Sequence, residues 1–149
     1  MEAVIFIGIQ ATGKSTFYKD RFFNTHVRIN LDMLKTRHRE DLLVQACLSA
    51  RQPFVVDNTN CTKAERSKYI APARTAGFRV IGYHFNSSIE ACKQRNAQRV
   101  GEQAIPVKGL LGTYGKLELP SKEEGFDTLH YVRIGTDGGF IVEDWRNEI

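Results

Sequence analysis

A chain of 149 residues has the size of one domain, and 42% hydrophobic with 26% charged residues is typical of a soluble globular protein. These values exclude a disordered or fibrous chain. No apolar run approaches the roughly 20 residues that span a bilayer, so we expect one soluble, cytoplasmic domain over residues 1–149 and no membrane partner. The net charge of +4 is uneven: residues 1–100 carry 16 Lys and Arg against 8 Asp and Glu, which suits either a polyanionic partner or a solvated basic surface.

Short apolar segments alternate with segments of helical periodicity along the whole chain. The predicted strands cover residues 1–7, 26–30, 53–57, 78–85, 129–134 and 140–142. The predicted helices cover residues 14–23, 32–50, 63–76, 88–100 and 107–116. This alternation predicts an α/β fold in which a parallel sheet is covered by helices on both faces and the crossovers are right-handed.

Side chains for the core can be chosen from the same pattern. In helix 32–50 the residues available for the buried face are Leu34, Leu42, Leu43, Ala46 and Cys47. In strand 78–85 we assign Phe78, Tyr83 and Phe85 to the core. Polar or flexible residues are expected at the carboxyl ends of the strands, namely Gly8, Asp32, Asp57 and Asn86. In a parallel sheet these ends form the ligand-binding edge.

The turn after the first strand contains the strongest motif in the chain. Residues 8–15 match the pattern G-x-x-x-x-G-K-[ST] between a predicted strand and a predicted helix, which is the arrangement of a phosphate-binding P-loop. Backbone N–H groups in such a loop surround phosphate oxygens, Lys14 bridges the outer phosphates, and the Ser15 hydroxyl binds Mg²⁺. We predict that ATP with Mg²⁺ binds here. The expected nucleotide-binding residues are Gly8, Ile9, Gln10, Ala11, Thr12, Gly13, Lys14, Ser15 and Thr16, of which Ala11 and Thr12 contribute backbone and Thr16 starts the helix.

Asp32 follows the second predicted strand. A carboxylate at this place could accept the proton of an attacking hydroxyl near the transferred phosphoryl group, as in a kinase. Asp is also a common N-cap, so Asp32 could simply cap a helix that begins at Met33, and the two roles are compatible.

Asp57 ends the third predicted strand. P-loop enzymes usually hold Mg²⁺ or its water shell with a carboxylate at this position, although an Asp at the end of a strand can also only start a turn. The next polar residues, Thr59 and Asn60, either bind substrate or order that turn. We predict Ser15 and Asp57 as the metal-side residues.

Arg95 and Arg99 are four residues apart on the predicted helix 88–100. Residues at this spacing share a helix face, so the pair could approach nucleotide phosphates from above as a helical lid. Exposed arginines at this spacing are also common on helices that bind nothing.

Taken together, these motifs resemble the kinase domain of polynucleotide 5′-kinases. The resemblance rests on residues 8–15, on Asn30-x-Asp32-x-x-Lys35, on Asp57-Asn58-Thr59-Asn60 and on Arg95-x-x-x-Arg99. It extends to Ile105-Pro106, Tyr114, Pro120 and Glu124-Gly125-Phe126-Asp127, and so covers nearly the whole chain.

The resemblance implies a P-loop kinase fold with a lid, in which Asp32 is the base for the 5′-hydroxyl of DNA or RNA. It implies that Lys14, Ser15, Arg95 and Arg99 bind ATP and its metal. Lys35 stands where the family usually has an arginine that holds the 3′-phosphate beside the attacking hydroxyl, and lysine lacks the bidentate fork. Arg37 or Arg39 could replace it.

Three functions fit this sequence. The leading hypothesis is a kinase for nucleic acid 5′ ends. A small-molecule kinase for a nucleoside, sugar or antibiotic hydroxyl, and a nucleotide-binding module that hydrolyses ATP slowly and acts through a partner, are the alternatives. Aromatic residues that could stack on single-stranded ends are Tyr18, Tyr69, Tyr83 and Phe126. His38 and His84 are predicted to be non-catalytic.

Overall fold

The computed structural model describes residues 1–86, 88–99 and 105–146. The strands are β1 (Glu2–Ile7), β2 (Val27–Ile29), β3 (Phe54–Val56), β4 (Arg79–Phe85), β5 (Thr128–Ile134) and β6 (Phe140–Asp144). The helices are α1 (Lys14–Arg21), α2 (Leu31–Leu34), α3 (Arg37–Ala50), α4 (Lys63–Thr75), α5 (Ile89–Ala97) and α6 (Val107–Lys116), and a 3₁₀ turn covers Lys122–Glu124. No helix within these residues is long and apolar enough to cross a membrane.

The strands form one sheet in the order β2-β3-β1-β4-β5-β6. Strands β1 to β5 pair in parallel, whereas β6 is antiparallel to β5. The predicted α/β fold with a parallel sheet is confirmed, with the difference that the last strand, β6, is antiparallel. Residues 135–139 are too few for a crossover, so the chain turns back as a hairpin.

Strand β1 lies at the centre of the sheet and divides the core in two. Ala3, Ile5 and Ile7 face a cluster that includes side chains of α3 and α4, and Val4 and Phe6 face the side covered by α1. All five side chains are fully buried, which explains why the strand is apolar at every position. Burial of each larger side chain contributes about 1.5–3 kcal/mol, so the sheet edge after Ile7 has a rigid support.

The predicted helix 32–50 is in fact two helices. The first helix ends at Lys35, whose φ of 75° does not continue a helix. Thr36 then caps α3 by accepting a hydrogen bond from the Arg39 N–H at 3.2 Å. Because α3 starts anew, its buried residues are Glu40, Val44 and Cys47. The predicted core positions Leu42, at 58% exposure, and Ala46 are exposed, while Leu34 and Leu43 are partly buried.

Two further predictions change at the helix ends and among the aromatic residues. Helix α5 ends at Ala97 rather than at residue 100, which lies outside the described residues.

Tyr18, Tyr69 and Phe126 are buried, so they are core residues and not platforms for stacked bases. Burial of Phe78 and Phe85 confirms their core assignment, and the partly buried Tyr83 stacks on His130 with ring centroids 4.9 Å apart.

His84 makes the stability of this core dependent on pH. It is buried on β4 against the rings of Tyr131 and Trp145, and neither of its ring nitrogens has a hydrogen-bond partner among the described residues. Burial, assisted by the positive charge of Arg66, lowers the pKa of His84 from 6.5 to about 4. The neutral ring is therefore the form that the folded state accommodates.

We expect the free energy of unfolding to fall by about 3 kcal/mol through His84 as the pH drops from 6.5 to 4. The folded pKa lies below the unfolded one, so this stability is complete above pH 6.5 and is lost on acidification. Urea denaturation at pH 7, 5.5 and 4 measures it. His84→Phe should lose less stability over this range than the wild type, and the exposed-site control His38→Phe should follow the wild type; equal slopes for all three proteins would contradict the prediction.

Candidate active site

The turn between β1 and α1 has the backbone conformation of an anion-binding loop. Gly13 is the N-cap of α1 with a φ of 92°, and no side chain caps the helix, so its first N–H groups face the loop. A Cβ at Gly13 would lie 3.1 Å from the ring of Phe140 on β6, which is a second reason for glycine here. Ala11 also has a positive φ, of 64°, and such backbone strain is typical of ligand-binding turns.

Lys14 lies in the middle of this loop. Its ammonium group donates hydrogen bonds to the carbonyl oxygens of Gly8 at 2.9 Å and Ile9 at 2.6 Å, and the side chain is only 9% exposed. Burial lowers the pKa of Lys14 from 10.5 to about 8, although the negative charge of Asp57 opposes the shift. A phosphate group beside this ammonium would supply the counter-charge that the loop carbonyls only partly replace.

Ser15 and Asp57 meet at the carboxyl edge of the sheet, as the metal prediction requires. The Ser15 hydroxyl donates to Asp57 Oδ2 at 3.0 Å, and Asp57 is 2% exposed. Hydroxyl and carboxylate oxygens are the ligands that Mg²⁺ prefers, so the pair fits the predicted role. No cluster of three His, Cys, Asp or Glu residues within the described part of the chain could hold a metal, so further ligands would come from phosphates and water.

Arg28 completes this arrangement, although it is not among the site residues predicted from the sequence. Its Nε donates to Asp57 Oδ2 at 2.9 Å and its Nη2 donates to Ser15 Oγ at 3.0 Å. A signal was present in the alternation along β2, because Arg28 points to the face opposite the core residue Ile29.

Asp32 lies in the first turn of α2, which directly follows the strand β2 that carries Arg28. The cap of α2 is Asn30, whose side-chain oxygen accepts a hydrogen bond from the Met33 N–H at 3.0 Å, so the alternative that Asp32 is the cap is wrong. The Asn30 amide also donates to the Asp57 carbonyl oxygen. The Asp32 carboxylate is exposed, and no hydrogen bond or ion pair joins it to another described residue.

A buried polar network supports α2 from below. Asn58 accepts a hydrogen bond from the Leu31 N–H at 2.8 Å and donates to the buried Glu40 at 3.0 Å. Glu40 also accepts hydrogen bonds from Tyr69 at 2.7 Å and Arg37 at 2.9 Å. Burial and the negative charge of Glu40 raise the pKa of Tyr69, so the phenol stays a hydrogen-bond donor. Nothing in the sequence marks Glu40, because a buried Glu has no local signature.

The residues after Asp57 order the turn. The Thr59 carbonyl oxygen accepts a hydrogen bond from the Gly8 N–H at 3.0 Å. Asn60 is 2% exposed and donates to the Phe6 carbonyl oxygen at 2.7 Å. Of the two alternatives for Asn60, the structure therefore favours ordering of the turn over contact with substrate.

Arg95 reaches the phosphate loop from α5, whereas Arg99 lies in the turn beyond it. Arg95 Nε donates to the Ala11 carbonyl oxygen at 2.6 Å. Arg99 is close enough for its charge to lower the pKa of Lys14, after the larger effects of burial and Asp57. Both arginines are thus on the phosphate side, although they do not share one helix face as predicted.

Two more features border the loop. A cavity of about 120 Å³ lies beside it and is lined by Thr12, Asn86, Arg95 and Val132, among others. Helix α6 covers another side, where Thr113 accepts a hydrogen bond from Gln10 at 3.1 Å and the buried Leu110 packs against Ile9 and Ala11.

Of the remaining predicted residues, Thr16 and Lys35 are exposed. Thr16 is the third residue of α1, as its predicted role at the helix start requires. Lys35 ends α2.

A phosphate loop between β1 and α1, with its serine hydrogen-bonded to the aspartate that ends a parallel strand, defines a P-loop nucleotide-binding domain of the kinase-like type. The chain belongs to the AAA domain family, whose model matches residues 4–110.

A relative and two solved structures agree with this assignment. The chain is 27% identical over 135 residues to a bifunctional polynucleotide phosphatase/kinase of Schizosaccharomyces pombe, a match that covers 88% of the chain and 33% of the relative. It therefore spans about a third of that relative. A gluconokinase of Sinorhizobium meliloti has a TM-score of 0.63 at 18% identity, covering 91% of this chain and 83% of that one. Kti12 of Chaetomium thermophilum in complex with ADP-AlF3 has a TM-score of 0.62 at 14% identity, covering 88% of both chains. These two show the fold.

Proposed function

We propose that this chain is the kinase domain of an ATP-dependent polynucleotide 5′-hydroxyl kinase. The observation that carries the proposal is the exposed carboxylate of Asp32, which has no partner among the described residues. It lies on α2, whose first turn is tied by Asn30 to the carbonyl oxygen of Asp57 and by Asn58 to the Leu31 N–H, and Asp57 itself is bonded to Ser15. A base placed next to a phosphate loop serves a hydroxyl acceptor, and a slow ATPase module does not require it.

The transfer proceeds in line. The 5′-oxygen forms a bond to the γ-phosphorus as the bond between that phosphorus and the oxygen bridging to the β-phosphorus breaks, and Asp32 takes the hydroxyl proton. Lys14, Arg95 and Arg99 stabilise the charge on the phosphoryl oxygens and on the ADP that leaves. Ser15 and Asp57 would hold Mg²⁺, which when bound supplies further charge neutralisation at the phosphates. The cavity lined by Thr12 and Asn86 is our candidate for the nucleobase.

The exposure of Asp32 supports a nucleic acid over a small molecule as the acceptor. Asp32 is followed along the chain by a basic segment, residues 35–39, whose side chains are exposed as well. Arg37 is bound to Glu40, and Arg39 donates to the Leu34 carbonyl oxygen at 3.1 Å, so both have structural partners. Lys35 stands where the polynucleotide kinase family usually has the arginine for the 3′-phosphate, so it is our candidate contact for the phosphate 3′ of the attacking nucleotide, and Thr59 is the candidate for the adjacent sugar. The printed name of the S. pombe relative agrees with this substrate class.

The test is transfer of the labelled γ-phosphate of ATP, with Mg²⁺, to 5′-hydroxyl DNA and RNA oligonucleotides, with a nucleoside and gluconate as competing acceptors. We expect labelled oligonucleotide, and a decrease of about a hundredfold or more in Asp32→Asn without loss of ATP binding, because only the general base is removed. Asp41→Asn on the exposed side of α3 is the matched control.

The other outcomes assign other functions. Label on gluconate or the nucleoside alone would make the chain a small-molecule kinase. ATP binding without transfer to any acceptor would favour the regulatory module. Weakening of oligonucleotide binding with rising salt would support the nucleic acid assignment, because phosphate contacts release counterions.

A further inference from the structure

Arg28 occupies an unusual place for a charged residue. It lies on β2, the edge strand of the sheet, between Val27 and the buried Ile29. Its side chain is 30% exposed, whereas that of its partner Asp57 is 2% exposed. The arginine thus brings a positive charge from the edge of the sheet to an almost fully buried carboxylate.

The three side chains form a closed set of contacts. Arg28 contacts both partners with separate nitrogen atoms, Nε on Asp57 and Nη2 on Ser15, and Ser15 itself donates to the same oxygen of Asp57. A guanidinium presents its donors in a rigid fork, so this two-point contact holds both residues in one geometry. The buried Asp57 carboxylate gains a counter-ion without the phosphate ligand.

The same two residues are the proposed magnesium ligands. A dication bound to the Ser15 oxygen would lie within a few ångströms of a guanidinium that contacts that oxygen at 3.0 Å. A dication and a guanidinium this close repel one another, so the two cations compete for this spot. The exposed part of the Arg28 side chain, on an edge strand, gives the guanidinium a way out into solvent.

We propose that Arg28 is a positioning residue that holds the Ser15–Asp57 pair ready and competes with Mg²⁺ for it. Binding of the Mg²⁺–nucleotide complex then displaces the guanidinium, and release of the metal lets it return. This inference rests on the proposed nucleotide site, but it is independent of the acceptor.

The test measures ADP affinity by calorimetry, in EDTA and in saturating Mg²⁺, for the wild type and Arg28→Gln. The dissociation constant in EDTA divided by that in Mg²⁺ reports how much the metal strengthens binding. Loss of the competing charge should raise this ratio about fivefold or more, because metal-free ADP loses a cation and the metal loses a competitor. Arg28→Lys, which keeps the charge without the fork, should give an intermediate ratio. Arg21→Gln on α1, where the arginine lies over the Phe17 ring, should leave the ratio unchanged.

The melting temperature in EDTA provides a second readout. Asp57 loses its counter-ion in Arg28→Gln, so this variant should melt several degrees below the wild type and below Arg21→Gln in EDTA. A folded Arg28→Gln with an unchanged or smaller affinity ratio would overturn the proposal and leave phosphoryl transfer untouched. If the wild type bound no ADP, this proposal and the proposed function would both be overturned. Calorimetry on the wild type alone distinguishes that outcome from the failure of this proposal.

Discussion

Replacement of Lys14 by Met is expected to lower phosphoryl transfer by about a thousandfold, because in the proposed mechanism the ammonium group stabilises charge that develops on the transferred group. The residue is held at the centre of the loop by the carbonyl oxygens of Gly8 and Ile9, and it is close to both Asp57 and Arg99. Transfer assays with the wild type, Lys14→Met and the exposed α1 control Lys19→Met measure the effect.

The same substitution should stabilise the protein. The folded-state pKa of Lys14, about 8, is lower than the ordinary 10.5, which means that burial of its charge costs free energy below pH 8. Removal of the charge should raise the free energy of unfolding at pH 7 by about 1–2 kcal/mol, less than the shift alone implies because two loop carbonyl oxygens lose a donor. The gain should disappear between pH 8 and 10.5, where the folded wild type already carries a neutral amine. A less stable Lys14→Met at pH 7 would contradict this reading of the site.

Replacement of Arg66 by Met is expected to reduce the free energy of unfolding by about 3–5 kcal/mol, since it leaves buried acceptors and a carboxylate without their partner. Arg66 is fully buried and forms a two-point ion pair with Glu124, at 2.8 and 3.2 Å. Its remaining nitrogen donates to the carbonyl oxygens of Asn60, Cys61 and Glu118. Such a loss is a large part of the 5–15 kcal/mol that stabilises an ordinary domain.

Urea denaturation tests this prediction with a control on the same helix. Arg74→Met removes an exposed arginine whose ion pair with Asp127 spans 3.6 Å, and should cost less than about 1 kcal/mol. A double variant, Arg66→Met with Glu124→Leu, should recover part of the loss because no unpaired buried charge remains. If Arg66→Met and Arg74→Met were equally stable, the hydrogen bonds from the Arg66 guanidinium to the Asn60 and Cys61 carbonyl oxygens would not support the fold as expected.

Features that follow from local sequence patterns could be predicted without the structure. The P-loop, the alternation of strands and helices, and the approach of Ser15 to Asp57 follow from local patterns together with the rule that parallel strands end at one edge. The break at Lys35 was missed, because a strong helical period continues through residues 32–50 and the competing cap, Thr36, is visible only once the helix is known to stop there. The antiparallel β6 was missed because periodicity carries no information about strand direction.

The sequence by itself determined the fold class, through the alternation of strands and helices along the whole chain. It also determined the phosphate loop and the candidate base, since each of these depends on a few adjacent residues with one physical use. Only the tertiary structure decided which side chains support them. Arg28 on β2 reaches Asp57 at the end of the neighbouring strand β3, Glu40 meets Asn58 and Tyr69, and Arg66 pairs with Glu124, 58 positions away. The tertiary structure also shows that Asn30 caps α2 and that Tyr18, Tyr69 and Phe126 are buried in the core. The physical reason is that burial and long-range pairing depend on the order of the strands, and no single segment specifies that order.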